Sequence, residues 1–147
     1  PTTIGGDVAV HVNANTTQTL TFAEGTTLPL DRPGANSGLV VGHCTLTGLA
    51  TEVSLTRSPE GSTPPTGFTF FQIDVDSPEA PHVGHVMAQI GSDVYEADCD
   101  LTSFARERSH GVVDLELSGC TLLTPAPSGT NSVTVDAALS LDACTVQ

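Results

Sequence analysis

The sequence predicts an all-β protein, an antiparallel β-sandwich (Ig-like or jelly-roll-like) of about 8–10 short strands with two disulfides. Three observations predict it. Short runs alternate apolar and polar residues with a period of two. Gly, Pro, Asn and Ser clusters interrupt these runs about every ten residues. No long stretch keeps the 3.6-residue period of an amphipathic helix.

In chain order, Gly5-Gly6 precedes Val8, Val10 and Val12, which alternate with Asp7, Ala9, His11 and Asn13. This reads as a strand behind a flexible leader. Asn13 to Thr16 turns, and Leu20 and Phe22 share a face of the second strand. Residues 24–38 are loop-like, with Pro29 and Pro33. Val40, Cys44 and Leu46 share a face of the next strand, and Val53 and Leu55 continue beyond a turn at Gly48. Residues 59–67 form a Pro/Gly/Ser/Thr loop. Residues 68–76, the most aromatic stretch, read as a central strand. Ser77 to Pro81 is another proline loop. Val83–Ile90 and Val94–Leu101 flank a turn at Gly91-Ser92-Asp93. After a last loop, Val133, Val135, Ala137, Leu139 and Leu141 alternate with polar or small neighbours. The whole of residues 1–147 reads as one domain.

The stretch from Val94 to Leu122 reads as two strands with a cysteine on each. Tyr95, Ala97, Cys99 and Leu101 share one face, and Val113, Leu115 and Leu117 share the matching face. Ser109-His110-Gly111 supplies the turn. Leu101 opposite Leu117 and Ala105 opposite Val113 sets apolar against apolar. Strict alternation would turn Cys120 outward. A bulge at Ser118-Gly119 brings it back beside Cys99, which predicts a Cys99–Cys120 bridge. Cys44 and Cys144 remain as the second pair. Cys120–Cys144 fits worse, because a hairpin turning near Ala126-Pro127-Ser128 sets Cys120 opposite about residue 136. In outline this spacing resembles small disulfide-bonded sandwich domains of bacterial surface lipoproteins, where an early-strand cysteine pairs with the last strand. The N-terminal lipid-carrying cysteine of such proteins is missing here.

Charge narrows the function. Four arginines and no lysine face 17 acidic residues, a net charge of −13. Nucleic acids and anionic membranes repel such a chain; cations, basic protein partners and salty surroundings suit it. The longest apolar runs, such as Leu39-Val40-Val41, are far too short to span a membrane. Four cysteines without CxxC spacing predict disulfides in an exported, extracellular or cell-surface protein. Asn15-Thr16-Thr17 is an N-glycosylation acceptor if the source is eukaryotic.

Candidate chemistry is sparse. His82-Val83-Gly84-His85 looks like a metal pair, but residues three apart on a strand face opposite ways. Asp74, Asp76 and Glu79 form a weak Ca²⁺ candidate, with two carboxylates on one face at a strand end and a third in the following loop. No other cofactor is expected. Glu96, Asp98, Asp100, Asp114 and Glu116 line one face of the central hairpin, which reads as a solvated outer face or, more sharply, as a docking surface for cations or a basic partner. Thr17-Gln18-Thr19 and Thr45-Leu46-Thr47 read as strand threonines chosen for β propensity. No GxSxG, HExxH or phosphate loop occurs, and Gly34 to Gly38 misplaces Ser37 for a nucleophile elbow. With no tryptophan and one tyrosine, the chain lacks the platforms sugar sites use.

These features predict a non-catalytic extracellular structural or assembly subunit of a filament, pilus-like fibre or surface layer. Self-association is expected through strand addition. Val8, Val10 and Val12 would form an assembly strand, with residues 1–13 exchanged between neighbours. The alternative is a monomeric, secreted or surface-anchored binding module for a small ligand, Ca²⁺ or a protein receptor.

Overall fold

The structure, a computed structural model, describes residues 2–28, 39–58, 68–124 and 131–147. The strands are β1 (Thr3–Asn13), β2 (Thr16–Thr27), β3 (Leu39–Thr47), β4 (Ala50–Ser58), β5 (Phe68–Val75) and β6 (Val83–Ile90). They continue with β7 (Asp93–Asp100), β8 (Ser103–Glu107), β9 (Val112–Leu123), β10 (Ser132–Asp142) and β11 (Thr145–Val146). No helix occurs among the described residues. The loops expected over residues 29–38, 59–67 and 125–130 lie outside them.

The all-β class holds, but the sandwich gives way to one curled sheet. Its order is β11-β3-β4-β5-β6-β7-β9-β10-β1-β2, with β8 pairing β9 as well. The alternation that suggested two facing layers serves instead a single sheet that folds its apolar face around itself. Leu20, Leu55, Phe71, Ile73, Leu115, Leu122 and Leu141 fill that interior.

Three local expectations change. The Gly5-Gly6 leader belongs to β1, which begins at Thr3. The second strand runs through Glu24 to Thr27 rather than ending in a loop. The central hairpin is broken, because the strand pattern lapses at Leu101-Thr102 and divides the first strand into β7 and β8. Ser103 then pairs with Glu116, Phe104 with Leu115 and Ala105 with Asp114. The expected Ala105–Val113 pair is therefore off by one, and the expected Leu101–Leu117 pair is absent, because Leu101 lies in the lapse and its N–H donates to His82 O. Phe104 is buried and Ala105 is exposed. The lapse reverses the inward parity, and the larger ring takes the core position.

The bulge lies where Cys120 requires it. Val135 pairs with Cys120 but Ala137 with Leu117, so Asp136 faces both Ser118 and Gly119. Gly119 has φ +63°, a conformation open to glycine, and its N–H donates to Asp136 Oδ1 at 2.8 Å. Beyond the bulge Cys120 and Leu122 point inward again. Cys99 and Cys120 are bridged at a Cα separation of 5.8 Å, and Cys44 and Cys144 at 4.8 Å.

The chain end straps the curl. After β10 the chain leaves that side of the sheet and pairs parallel with β3, at the far end of the strand order. Cys144 N–H donates to Gly111 O on the way. The β8–β9 hairpin clamps the strap and the β3–β4 turn: Arg108 donates to Gln147 O of the strap, and Arg106 donates to Ala50 O (2.9 Å), Thr51 Oγ1 (3.1 Å) and Gly48 O at the turn. Charged donors to buried or turn acceptors contribute about 1.5–3 kcal/mol. Arg106→Ala is therefore expected to lower unfolding free energy by about 2 kcal/mol in urea titration. Arg106→Lys should recover only part of this, because one ammonium cannot span three acceptors as the guanidinium fork does. A neutral Arg106→Ala would remove the clamp from the account.

β1 completes its own sheet. It pairs with β10 on one side and β2 on the other. Val8 and Val10 are fully buried there, with Ile4, while Val12 is only half-buried. The groove that receives these side chains belongs to their own chain.

Candidate functional site

The outer face of β4 to β7 is built by register. Glu52 pairs with Asp74, Asp74 with His85 and His85 with Asp98. Even spacing along each strand keeps these four outside while Val53, Ile73, Val86 and Cys99 point inward. The result is a row of three carboxylates and one imidazole across four strands. Glu52 directly opposite Asp74 is a like-charge neighbour, unfavourable by itself. Donors moderate it: His43 Nε2 lies 2.8 Å from Glu52 Oε1, and Gln72 Nε2 donates to both Asp74 oxygens at 3.2 and 3.0 Å. Below the row lies an open recess of about 240 Å³, lined by Asp74, Asp76, Ser77, His85 and Asp98 among others.

His85 is the titrating centre of this row. Its Nδ1 lies 2.8 Å from Asp98 Oδ1, and its Nε2 lies 3.6 Å from Glu96 Oε2. The Asp98 hydrogen bond raises the imidazole pKa above its ordinary 6.5; burial opposes this, and the Asp98 and Glu96 charges add to the rise. The fold therefore favours protonated His85. Its stabilising contribution is complete below pH 6.5 and is lost as pH rises through the higher folded value. An NMR titration should show His85 titrating above 6.5, and Asp98→Asn should move it down. A His85 midpoint insensitive to Asp98→Asn would contradict the assignment.

The other candidates separate. Asp74 and Asp76 share the recess, whereas Glu79 sits exposed on the loop beyond. Among the described residues no three His, Cys, Asp or Glu side chains converge as a metal set. His82 and His85 diverge. His82 packs edge-on against Phe104 with ring centroids 5.5 Å apart, and its Nε2 donates to Pro78 O. Glu96, Asp98 and Asp100 extend the β7 part of the outer face, while Asp114 and Glu116 lie on β9 beside β10, flanking a separate groove with Glu24. His110 pairs locally with Glu107, whose carboxyl it holds below the usual range. The five-carboxylate face expected of one hairpin is thus divided between two surfaces, because β7 pairs chiefly with β6.

Sequence reasoning missed one cluster altogether. On the outer face of β2, β1 and β10, Thr17 Oγ1 lies 2.9 Å from His11 Nδ1, and His11 Nε2 lies 2.7 Å from Asp136 Oδ2. The Gly119 N–H, followed by His11, holds the Asp136 carboxyl below the usual range. Only the three-strand register brings residues 11, 17 and 136 together, and no local spacing signals it.

Neither family models, nor curated proteins, nor solved structures give a match to this chain. Two disulfides are compatible with an oxidising, extracellular location. No helix of the described residues is long and apolar enough to cross a membrane.

Proposed function

We propose that this chain is an exported structural or assembly subunit, non-catalytic in that role, that associates with copies of itself at a sheet edge. The observation that carries the reading is the edge at β2. Among the described residues the sheet ends there on a 12-residue strand. Edges are commonly guarded by lysine, proline or shortness. β2 has no lysine or proline, and Glu24 is its one charge. Strand addition between copies is therefore assigned to β2, since β1 already has a partner on both sides. The double cross-link supports a role outside the cell, where noncovalent stability alone is tested by proteolysis and dilution. Light scattering coupled to size exclusion tests the reading. Concentration-dependent oligomers in physiological salt are expected, and a monodisperse 15.1 kDa species at every concentration would overturn it.

A binding-module reading has one observation in its favour, the acidic recess at Asp74, Asp76, His85 and Asp98. It suits weak Ca²⁺ binding or a basic protein partner. Calorimetry with calcium on wild type and Asp74→Asn/Asp76→Asn separates it from assembly. Calcium heat that the double variant abolishes, from a protein that stays monomeric, would favour the module.

A further inference from the structure

We propose that Thr17 is an activated hydroxyl that accepts an acyl group from an activated ester, with His11 as its general base and Asp136 as the positioning residue. The proposal is independent of self-association. The sequence Thr17–His11–Asp136 has the three parts that nucleophile activation needs: a hydroxyl, a base within hydrogen-bond reach, and a third group that orients the base. The distances are 2.9 and 2.7 Å.

Hydrogen-bond inventory fixes the proton positions. An ionised Asp136 only accepts, so His11 Nε2 must donate to Oδ2. Neutral His11 then carries its lone pair on Nδ1, facing Thr17 Oγ1–H. Asp136 is itself fixed, because its other oxygen accepts the Gly119 N–H at the β9 bulge. The bulge that restores the inward face of Cys120 thus also anchors the third member of the cluster. His11 and Thr17 line an open recess together with Val12, Asn13, Ser132 and Thr134, where an ester can approach.

The step balances without a redox partner. Thr17 Oγ1 attacks the ester carbonyl carbon and gives its proton to His11 Nδ1. A new C–O bond forms, and the bond from the carbonyl carbon to the leaving oxygen breaks. The departing alkoxide takes the proton from His11. The products are an O-acyl Thr17 and one alcohol.

Thr19 supplies an internal control. It lies on the same exposed face of the same strand, but its partner across β1 is Ala9, where Thr17 has His11. The chain is treated with p-nitrophenyl acetate, and acetylation at each threonine is read by peptide mass spectrometry. General-base assistance contributes about 10²–10⁴-fold, so Thr17 should exceed Thr19 by about 100-fold or more. His11→Gln and Asp136→Asn should both bring the ratio towards one. In Asp136→Asn, the His11 ring nitrogen shifts should also lose the Nε2–H tautomer signature. Each ratio comes from one folded sample, so altered stability does not mimic the effect. Equal labelling of Thr17 and Thr19 in the wild type, or a ratio unchanged by either substitution, would overturn the proposal.

Discussion

Replacing Cys44 and Cys144 together by serine is expected to lower unfolding free energy by about 4–5 kcal/mol. The bridge joins residues 100 apart, and a cross-link restricts the unfolded chain more as its loop lengthens. The Cys99–Cys120 bridge closes a separation of 21, so the corresponding double serine should cost about 3 kcal/mol. The folded state adds to the difference. Cys144 is where the strap crosses from β10 to β3, and β11 contributes only two paired residues of its own. Urea titration of the two variants side by side measures both losses. A smaller loss for Cys44/Cys144 than for Cys99/Cys120 would mean that the strap is held by Arg108 and its pairing with β3 rather than by the bridge.

Gly6→Ala should be nearly as damaging as the shorter bridge, about 2–4 kcal/mol. Gly6 has φ +108°, which side chains other than glycine rarely adopt. An added Cβ would fall 1.9 Å from Ala138 O and 3.2 Å from Leu139 Cα, both backbone atoms in the paired strand. Neither can move without opening the β1–β10 ladder, in which Gly6 pairs with Leu139. The expected signature is a lowered urea midpoint together with faster amide exchange at residues 4–10. A thermal midpoint equal to wild type would show that β1 does not dock as described.

The strands and the Cys99–Cys120 pair were legible because both depend on period-two alternation within each strand, and Cys44–Cys144 followed as the remaining pair. Val133 to Leu141 alternates without a break, and every apolar residue named there is buried. The Ser118-Gly119 bulge was readable because Cys120 had the wrong parity without it. Closure of the sheet was not legible. Alternation marks an inner face but not whether the opposite wall is a second sheet or the same one curled. The break at Leu101-Thr102 was hidden because Leu101 and Ala105 offered a plausible apolar series, and the burial of Phe104 decided otherwise. The outer-face clusters were least readable of all. Glu52, Asp74, His85 and Asp98 meet through three successive registers. Thr17, His11 and Asp136 meet only because β10 returns beside β1 across more than 120 residues.

Removal of residues 1–13 tests most directly whether the chain completes its own sheet. Ile4, Val8 and Val10 are buried between β10 and β2, each worth about 1.5–3 kcal/mol when fully buried. The shortened chain should lose cooperative unfolding, bind a hydrophobic dye and expose the backbone of both former neighbours to hydrogen exchange. A shortened chain that remains a folded, disulfide-bonded monomer with a wild-type urea midpoint would contradict the account, and would return β1 to the role of a strand lent to another copy.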